Sequence, residues 1–332
     1  MNTLKNVEYS PLNYNEKIQA SFDGKNVLTK DAHGNEIYSF VAIADAKLEL
    51  NFEGNNNRID DLLELVAVEY LLGHNENLKS ISIKENRNYE VLGTLKKETG
   101  LTFSRGEFFE LRAPWYKERF YTVGNSEYIH TKDLLHPKRN NPQSGVLYSR
   151  YIPAMEKTIS FRVIDVDRDL ETFSSWHNQD RVNNFWELKG SKEDHIEYIK
   201  KLLADNHMIP TIAEIDGEAY GYFELYWAYE DRLGPYYPSA LFDRGFHFLI
   251  GNAKFLGAIN TDSALKSLVH LVFLEDARTT KLMAEPRADN VKVIKYVDSF
   301  PVWKRLYEFD FPHKRALLIE ARREVFFTRD FL

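Results

Sequence analysis

The stretch from Arg244 to Asn290, RGFHFLIGNAKFLGAINTDSALKSLVHLVFLEDARTTKLMAEPRADN, constrains the fold more than any other part of the chain. Its apolar run His247 to Ile250 reads as a buried strand, which Gly251-Asn252 and then Gly257 bring to an end. Thr261 or Asp262 can cap the helix that follows, where Leu265, Leu268, Val269 and Val272 recur at helical spacing and form one buried stripe. Lys281 to Glu285 reads as a second strand, and Pro286 removes a backbone donor and ends its ladder. Strand, helix and strand in that order imply a parallel crossover.

The glycine-bearing turn therefore opens onto a helix N-terminus, whose unpaired N–H groups and positive dipole end suit a pyrophosphate. Leu249, Ile250, Gly251, Asn252, Lys254, Gly257 and Ala258 are the candidate contacts there, with Lys254 able to add a charge and Asn290 close behind the second strand. Turns of this kind also occur in α/β domains that bind nothing at that point. No Gly-Lys-Ser/Thr follows and no G-x-G-x-x-G is present, so nucleotide hydrolysis is disfavoured.

Four ordered segments carry a resemblance to a known family: Trp176-His177-Asn178 with Arg181-Val182 and Phe185-Trp186; Leu233-Gly234-Pro235-Tyr236-Tyr237; Arg244-Gly245-Phe246-His247; and Glu285-Pro286-Arg287-Ala288-Asp289-Asn290. Over about half its length the chain resembles a GNAT acyltransferase, in the siderophore-biosynthesis branch that acylates N-hydroxylated amines and is typified by N6-hydroxylysine acetyltransferase. The family turn is Arg/Gln-x-x-Gly-x-Gly/Ala. Lys254-x-x-Gly257-x-Ile259 keeps its first glycine and departs at the last position.

Composition narrows the alternatives. A chain of 332 residues with 43% hydrophobic and 14% aromatic content can bury a large core, and its length suggests about two domains. No apolar run approaches the roughly 20 residues that span a bilayer, and the N-terminal MNTLKNVEYSPLNYNEK lacks a signal-peptide core, so the cytoplasm is the expected compartment and no membrane partner is expected. With no cysteine there is no thiolate metal site and no cysteinyl acyl-enzyme, so a thioester would be used by direct transfer. The net charge of -7 argues against a nucleic-acid partner. The histidines lack H-E-x-x-H spacing, so no metal is expected.

The N-terminal half carries the same order of elements in worn form: an alternating strand from Lys47 to Phe52, then Gly54-Asn55-Asn56-Asn57, a helix from Ile59 to Leu72 and a strand from Ser80 to Lys84. Its second strand is followed by Lys84-Glu85-Asn86-Arg87-Asn88, where the other half has Glu-Pro-Arg-Ala-Asp-Asn. The expected architecture is an α/β (α+β, mixed-sheet) tandem in the GNAT acyltransferase fold. Residues 1–133 form a degenerate half, 134–149 a linker rich in Pro, Asn and Lys/Arg, and 150–332 the catalytic half. Any two α/β halves can look alike at this level. Two packed halves could also supply the interface that single-domain members make by dimerising, and a homodimer stays open.

The resemblance implies a chemistry. The nitrogen of an N-hydroxylated amine attacks the thioester of acetyl-CoA, and the tetrahedral oxyanion collapses to a hydroxamate, a chelator of ferric iron. His247 and Asp289 match the family's proposed catalytic pair: imidazole suits proton transfer near neutrality and a carboxylate can orient it. Backbone N–H groups around Leu249 to Gly251 would polarise the carbonyl. Trp176, Asn178, Trp186, Tyr236, Tyr237 and Arg244 are the candidate substrate contacts, since aromatic walls with a polar handle suit an alkyl amine. Each has a plainer reading too: His247 as a hydrogen-bonded core residue, Asp289 as an N-cap, and the aromatics as core. An aminoglycoside-type N-acetyltransferase and a non-catalytic acyl-CoA-binding scaffold are the competing functions. Succinyl-CoA stays open as donor, and Arg287 or Arg244 could then pair with its carboxylate.

Overall fold

The computed structural model describes residues 4–14, 16–44, 46–53, 58–84, 90–98, 100–117, 127–131 and 133–332. The chain divides into two compact units, one of residues 1–118, 150–156 and 327–332, the other of residues 119–149 and 157–326. The expected division at 134–149 therefore differs from the observed one. The segment read as a linker contains a complete strand and the start of another. Residues 150–156 go with the first unit because Tyr151 packs its ring 5.4 Å from that of Tyr9 and Pro153 lies over Gly73.

In the first unit β1 (Leu4–Tyr9), β2 (Ile18–Phe22), β3 (Asn26–Asp31), β4 (Glu36–Ala44) and β5 (Lys47–Glu53) precede helix α1 (Arg58–Gly73), β6 (Ser80–Lys84), β7 (Leu101–Ser104) and α2 (Arg105–Phe109). The seven strands pair in chain order. Only β5 and β6 run parallel, because α1 carries the chain back between them. Leu62, Leu63, Leu65, Val66, Ala67, Val68, Leu71 and Leu72 are all buried. Buried with them are Glu64, Glu69 and Tyr70, so the helix has no solvent face from residue 62 to residue 72. Gly54 to Asn57 and Glu85 to Asn88, singled out in the sequence, lie outside the described residues.

The remaining elements are β8 (Tyr128–Thr131), β9 (Leu134–Pro137), β10 (Val146–Ile152), β11 (Lys157–Val163), α3 (Val166–His177), α4 (Asp180–Trp186), α5 (Lys192–Ala204), β12 (Met208–Ile215) and β13 (Glu218–Trp227), followed by β14 (Arg244–Ile250), α6 (Ala258–Glu275), β15 (Lys281–Ala284), α7 (Val291–Ser299), β16 (Trp303–Phe311), β17 (Lys314–Arg322) and α8 (Arg323–Thr328). Strands β8 and β9 form a hairpin, and the main sheet has the order β10-β11-β12-β13-β14-β15-β17-β16. Here too one pair, β14 and β15, is parallel, bridged by α6, whose residues from Leu265 to Leu274 are buried except Lys266.

The parallel pairs differ in one respect. Strands β5 and β6 keep five registered pairs, from Lys47↔Ser80 to Asn51↔Lys84. Strands β14 and β15 pair only at Arg244↔Leu282 and Gly245↔Met283, although β14 stays paired with β13 as far as Ile250. The edge of β14 that faces β15 is therefore open from Phe246 onward. Pro286, which has no N–H, follows where the ladder stops. Gly245 keeps a close approach at the apex: a Cβ there would stand 2.2 Å from the Tyr226 ring.

Candidate active site

The antiparallel register of β13 and β14 sets Glu224 opposite His247. Continuing the β14/β15 register two residues past its last pair brings Glu285 beside His247 from the other side. His247 donates from Nδ1 to Glu224 Oε2 at 3.0 Å and from Nε2 to Glu285 Oε1 at 3.2 Å. Both carboxylates are buried, while 22% of the histidine side chain reaches solvent.

Burial by itself would push the imidazole pKa down. The hydrogen bonds and charges of Glu224 and Glu285 outweigh it and hold His247 at about 9. Burial likewise pushes Glu285 up, and His247, Lys314 and Tyr226 together bring it down to about 2. Glu224 is held below its ordinary value against burial by His247, Tyr198 and Tyr222. At neutral pH the centre is an imidazolium between two carboxylates.

The carboxylates are themselves held. Tyr198 and Tyr222 donate hydroxyls to Glu224 Oε1 at 2.6 and 3.0 Å, and Tyr226 donates to Glu285 Oε2 at 2.8 Å. Lys314 donates to the Glu285 carbonyl at 2.7 Å. None of these partners was picked out from the sequence. One signal was available: Glu224 is a lone acid inside the apolar run Tyr222 to Trp227, and a buried carboxylate in a sheet needs a partner.

Asp289 is not the partner of His247. Its side chain is 70% exposed and pairs with Arg287 at 3.0 Å. The cap of α7 comes instead from Asn290, whose Oδ1 accepts from the Val293 N–H at 3.3 Å. The proline turn points residues 287–289 outward, so the acid on His247 is the one that ends the strand, Glu285.

At the turn, α6 begins at Ala258, earlier than Thr261 or Asp262 would have placed it. Gly257, at φ +154, enters the helix with no side-chain cap, and the Thr261 N–H donates to its carbonyl at 3.0 Å. Asp262 lies inside the helix and pairs with Lys266 at 2.8 Å. An uncapped start leaves first-turn N–H groups without a side-chain acceptor. Lys254 does not point free: its ammonium sits on Glu218. The Asn252 side chain bonds the Ala219 carbonyl at 3.1 Å and caps the short turn at 253–255. Arg181 clamps the carbonyls of Ile250 and Gly251.

The expected substrate contacts divide. The indole of Trp176 lies where a Cβ on Gly251 would come within 1.9 Å, so it supports the end of β14. The Trp186 ring is edge-on to His247 at 6.3 Å, facing the site. Asn178 closes the 178–190 loop through reciprocal 3.1 Å bonds with Gly190. Tyr236 packs tilted against Phe309 and edge-on to Phe311, ring centroids 4.9 and 4.6 Å apart, and Tyr237 donates to Asp243 at 3.1 Å. Arg244 is not a substrate contact. It is fully buried, 2.9 Å from Glu275 and 4.0 Å above the Trp227 ring, because its strand position points it beneath the sheet into the core.

A family model described as "Acetyltransferase (GNAT) domain" matches residues 165–311. A Schizosaccharomyces pombe protein named "Putative lysine N-acyltransferase" is 39% identical over 232 residues, which are 70% of this chain and 69% of that relative. An Escherichia coli protein named "N(6)-hydroxylysine O-acetyltransferase" is 37% identical over 197 residues, 59% of this chain and 62% of that one. An uncharacterized protein of Bacillus halodurans has a solved structure that superposes with a TM-score of 0.52 at 28% identity, covering 55% of this chain and 94% of its own. With this domain match, these relatives and this sheet, the chain belongs to the GNAT acetyltransferase family.

Proposed function

We propose that the chain transfers an acyl group, acetyl in the first instance, from acyl-CoA to an N-hydroxylated amine, giving a hydroxamate for siderophore biosynthesis. The observation that carries this reading is the Glu224–His247–Glu285 centre, set where β14 and β15 part and on the same strand that leads to the uncapped start of α6. The name of the E. coli relative supports the acceptor class, and the acetyltransferase description of the matching domain supports the donor.

The open edge of β14 offers backbone groups to the amide-bearing arm of CoA, as a missing strand would use them. The first turn of α6 suits the pyrophosphate. The hydroxylamine nitrogen, less basic than a plain amine, carries a free lone pair near neutrality. It attacks the thioester carbon: the C–N bond forms, the tetrahedral oxyanion collapses and the C–S bond breaks. The sulfur leaves as a thiolate and needs a proton, and the new ammonium-like nitrogen must lose one. His247, held as an imidazolium, supplies the first and takes up the second, so the centre ends as it began. Glu224 and Glu285 orient the ring and stabilise its charge. A CoA donor is a metabolite of the cytoplasm, which supports that compartment for the reaction.

The test is CoA release with acetyl-CoA and succinyl-CoA against N6-hydroxylysine, N-hydroxycadaverine, N-hydroxyputrescine, their unhydroxylated parents and an aminoglycoside. Turnover restricted to the hydroxylated amines, with a product that gives the coloured ferric complex of a hydroxamate, is the expected result. An O-acyl product would give no such complex. Turnover with the aminoglycoside alone, or CoA binding with no turnover, would move the reading to resistance or to a scaffold.

A further inference from the structure

Next to the His247 centre stands a cation that the mechanism above does not use. Arg232, on the loop between β13 and β14, has a side chain 52% exposed, and its Nη2 is 3.5 Å from His247 Nε2. Its carboxylate neighbour among the described residues is Glu285, at 4.0 Å, too far for a hydrogen bond. Two donors, one guanidinium and one imidazolium, thus face the same space with a single carboxylate oxygen shared between them.

The loop holds this cation in place. Asp231 Oδ1 accepts from the Leu233 N–H at 3.0 Å, and its other oxygen lies 3.4 Å from His207. Gly234 packs so closely that a Cβ would stand 2.7 Å from the Tyr229 carbonyl. The guanidinium lies 5.8 Å from the Phe311 ring centroid, over the aromatic floor that includes Tyr236. A rigid turn, an aromatic rest and a half-exposed guanidinium fork make a preorganised receptor for a planar anion.

We infer that Arg232 reads a carboxylate on the acceptor and is the residue that discriminates an ω-N-hydroxylated amino acid from the corresponding decarboxylated amine. The inference rests on the acyl-transfer reading and narrows its substrate. The other cations considered for this role are engaged: Arg244 is in the core, and Arg287 is paired with Asp289. Reach favours the acceptor over the donor. A carboxylate on the outer edge of the fork lies a guanidinium width and a hydrogen bond beyond His247. A spacer of several methylenes covers that separation, whereas the carboxylate of a succinyl donor sits only three bonds from the reacting carbon. Half exposure also suits capture of a ground-state ion better than an oxyanion, whose stabilisation depends on exclusion of water.

The pair N6-hydroxylysine and N-hydroxycadaverine differ only in the carboxylate, and their kcat/KM ratio reads Arg232 directly. In the wild type the amino acid is expected to be preferred. In Arg232→Met the ratio should fall on the order of ten- to a hundredfold, the loss appearing in KM. Arg232→Lys should restore part of it, as a point charge without the fork. An unchanged ratio, a fall shared by both acceptors with the loss in kcat, or a wild type indifferent to the carboxylate would overturn the inference. If no hydroxylated amine turns over, the acyl-transfer reading fails. Calorimetry of lysine against cadaverine on the CoA-loaded wild type and Arg232→Met then still decides: weaker lysine binding in the variant keeps the carboxylate site, and equal binding removes it.

Discussion

The two parallel strand pairs of this chain have the same helix-bridged connection and opposite fates. In β5/β6 the opposed residues Leu48 and Ile81, and then Leu50 and Ile83, are apolar and buried, and the ladder runs unbroken. In β14/β15 the ladder stops after Gly245↔Met283, and His247 and Glu285 meet two residues further along the same register. An apolar seam gains from closing, since burying each such side chain stabilises by about 1.5–3 kcal/mol. Where the facing residues are instead the hydrogen-bonded His247 and Glu285, followed by Pro286 with no N–H, the backbone ladder is not made beyond Gly245. The lesson is that a helix-bridged parallel pair is left open or closed along its seam by the choice of two facing side chains.

If the open pair is the reactive one, His247→Asn produces the largest effect available: a loss of two to four orders of magnitude in turnover, with CoA affinity by calorimetry kept within a few-fold. The wild-type kcat/KM should also fall as pH rises past about 9, where the imidazolium gives up its proton. Unchanged turnover in the variant would break the contrast between the halves and remove His247 from the chemistry.

The second contrast is electrostatic, because each unit buries a glutamate and treats it oppositely. Glu285 is brought down to about 2 by His247 and its neighbours against the pull of burial. Its folded value lies below the ordinary 4.5, so its contribution is present above pH 4.5 and lost as pH falls toward 2. Glu69, on α1, is raised by burial to about 7 against the Trp115 hydrogen bond and the charge of Arg150. The folded state there keeps a proton that the unfolded chain releases, so stability drains away as pH rises from 4.5 to about 7. Glu69→Gln, whose amide oxygen can still accept from Trp115, should therefore stabilise the protein at pH 8 by the order of 1–3 kcal/mol relative to wild type, and hardly at pH 4. Denaturant melts at the two values measure this. An equal change at both would remove the titration of Glu69 from the account.

How far the sequence made this legible depends on the kind of order involved. Periodicity placed β5, α1, β6 and β15 within a residue, because a strand or a helix is a local pattern repeated, whereas β14 starts at Arg244, three residues before the apolar run from His247. The start of α6 was missed by a turn: Thr261 and Asp262 look like caps, but Gly257 at φ +154 already begins the helix without one. His247 was legible through its neighbours in the chain. Glu224 was not named, since its relation to His247 is a cross-strand register, twenty-three residues away and set only by the β13/β14 pairing. Asp289 was preferred to Glu285 although both stand in one motif, and what separates them is that one ends the strand facing inward while the other follows a proline turn outward. Arg232 carried no sequence signal, because a loop arginine acquires meaning only from what its guanidinium faces.

Glycines sharpen the comparison on a smaller scale. Gly251→Ala would drive a methyl to 1.9 Å from the Trp176 indole. Overpacking of this kind costs about 1–3 kcal/mol, and here it should also weaken CoA binding, since the displaced backbone leads into the α6 turn. Gly34, in the first unit, has φ +89 and open space around it. Gly34→Ala should cost only about 1 kcal/mol of backbone strain and leave CoA binding alone. Thermal melts paired with CoA titrations separate the two, and a Gly34→Ala variant that lost CoA would give the first unit a part in the donor site.

The smallest expected effect tests whether the far end of the closed seam matters at all. Lys84 ends β6 and lies 3.2 Å from Glu49 of β5, with side chains 70% and 56% exposed. At the corresponding end of the open pair stands Glu285, buried and fixed by three partners. An exposed ion pair is screened and loses side-chain entropy, so Lys84→Ala should change stability by no more than about 0.5 kcal/mol and turnover not measurably. A twofold or larger loss of turnover would mean that the closed pair communicates with the open one. The first unit would then have a part in turnover.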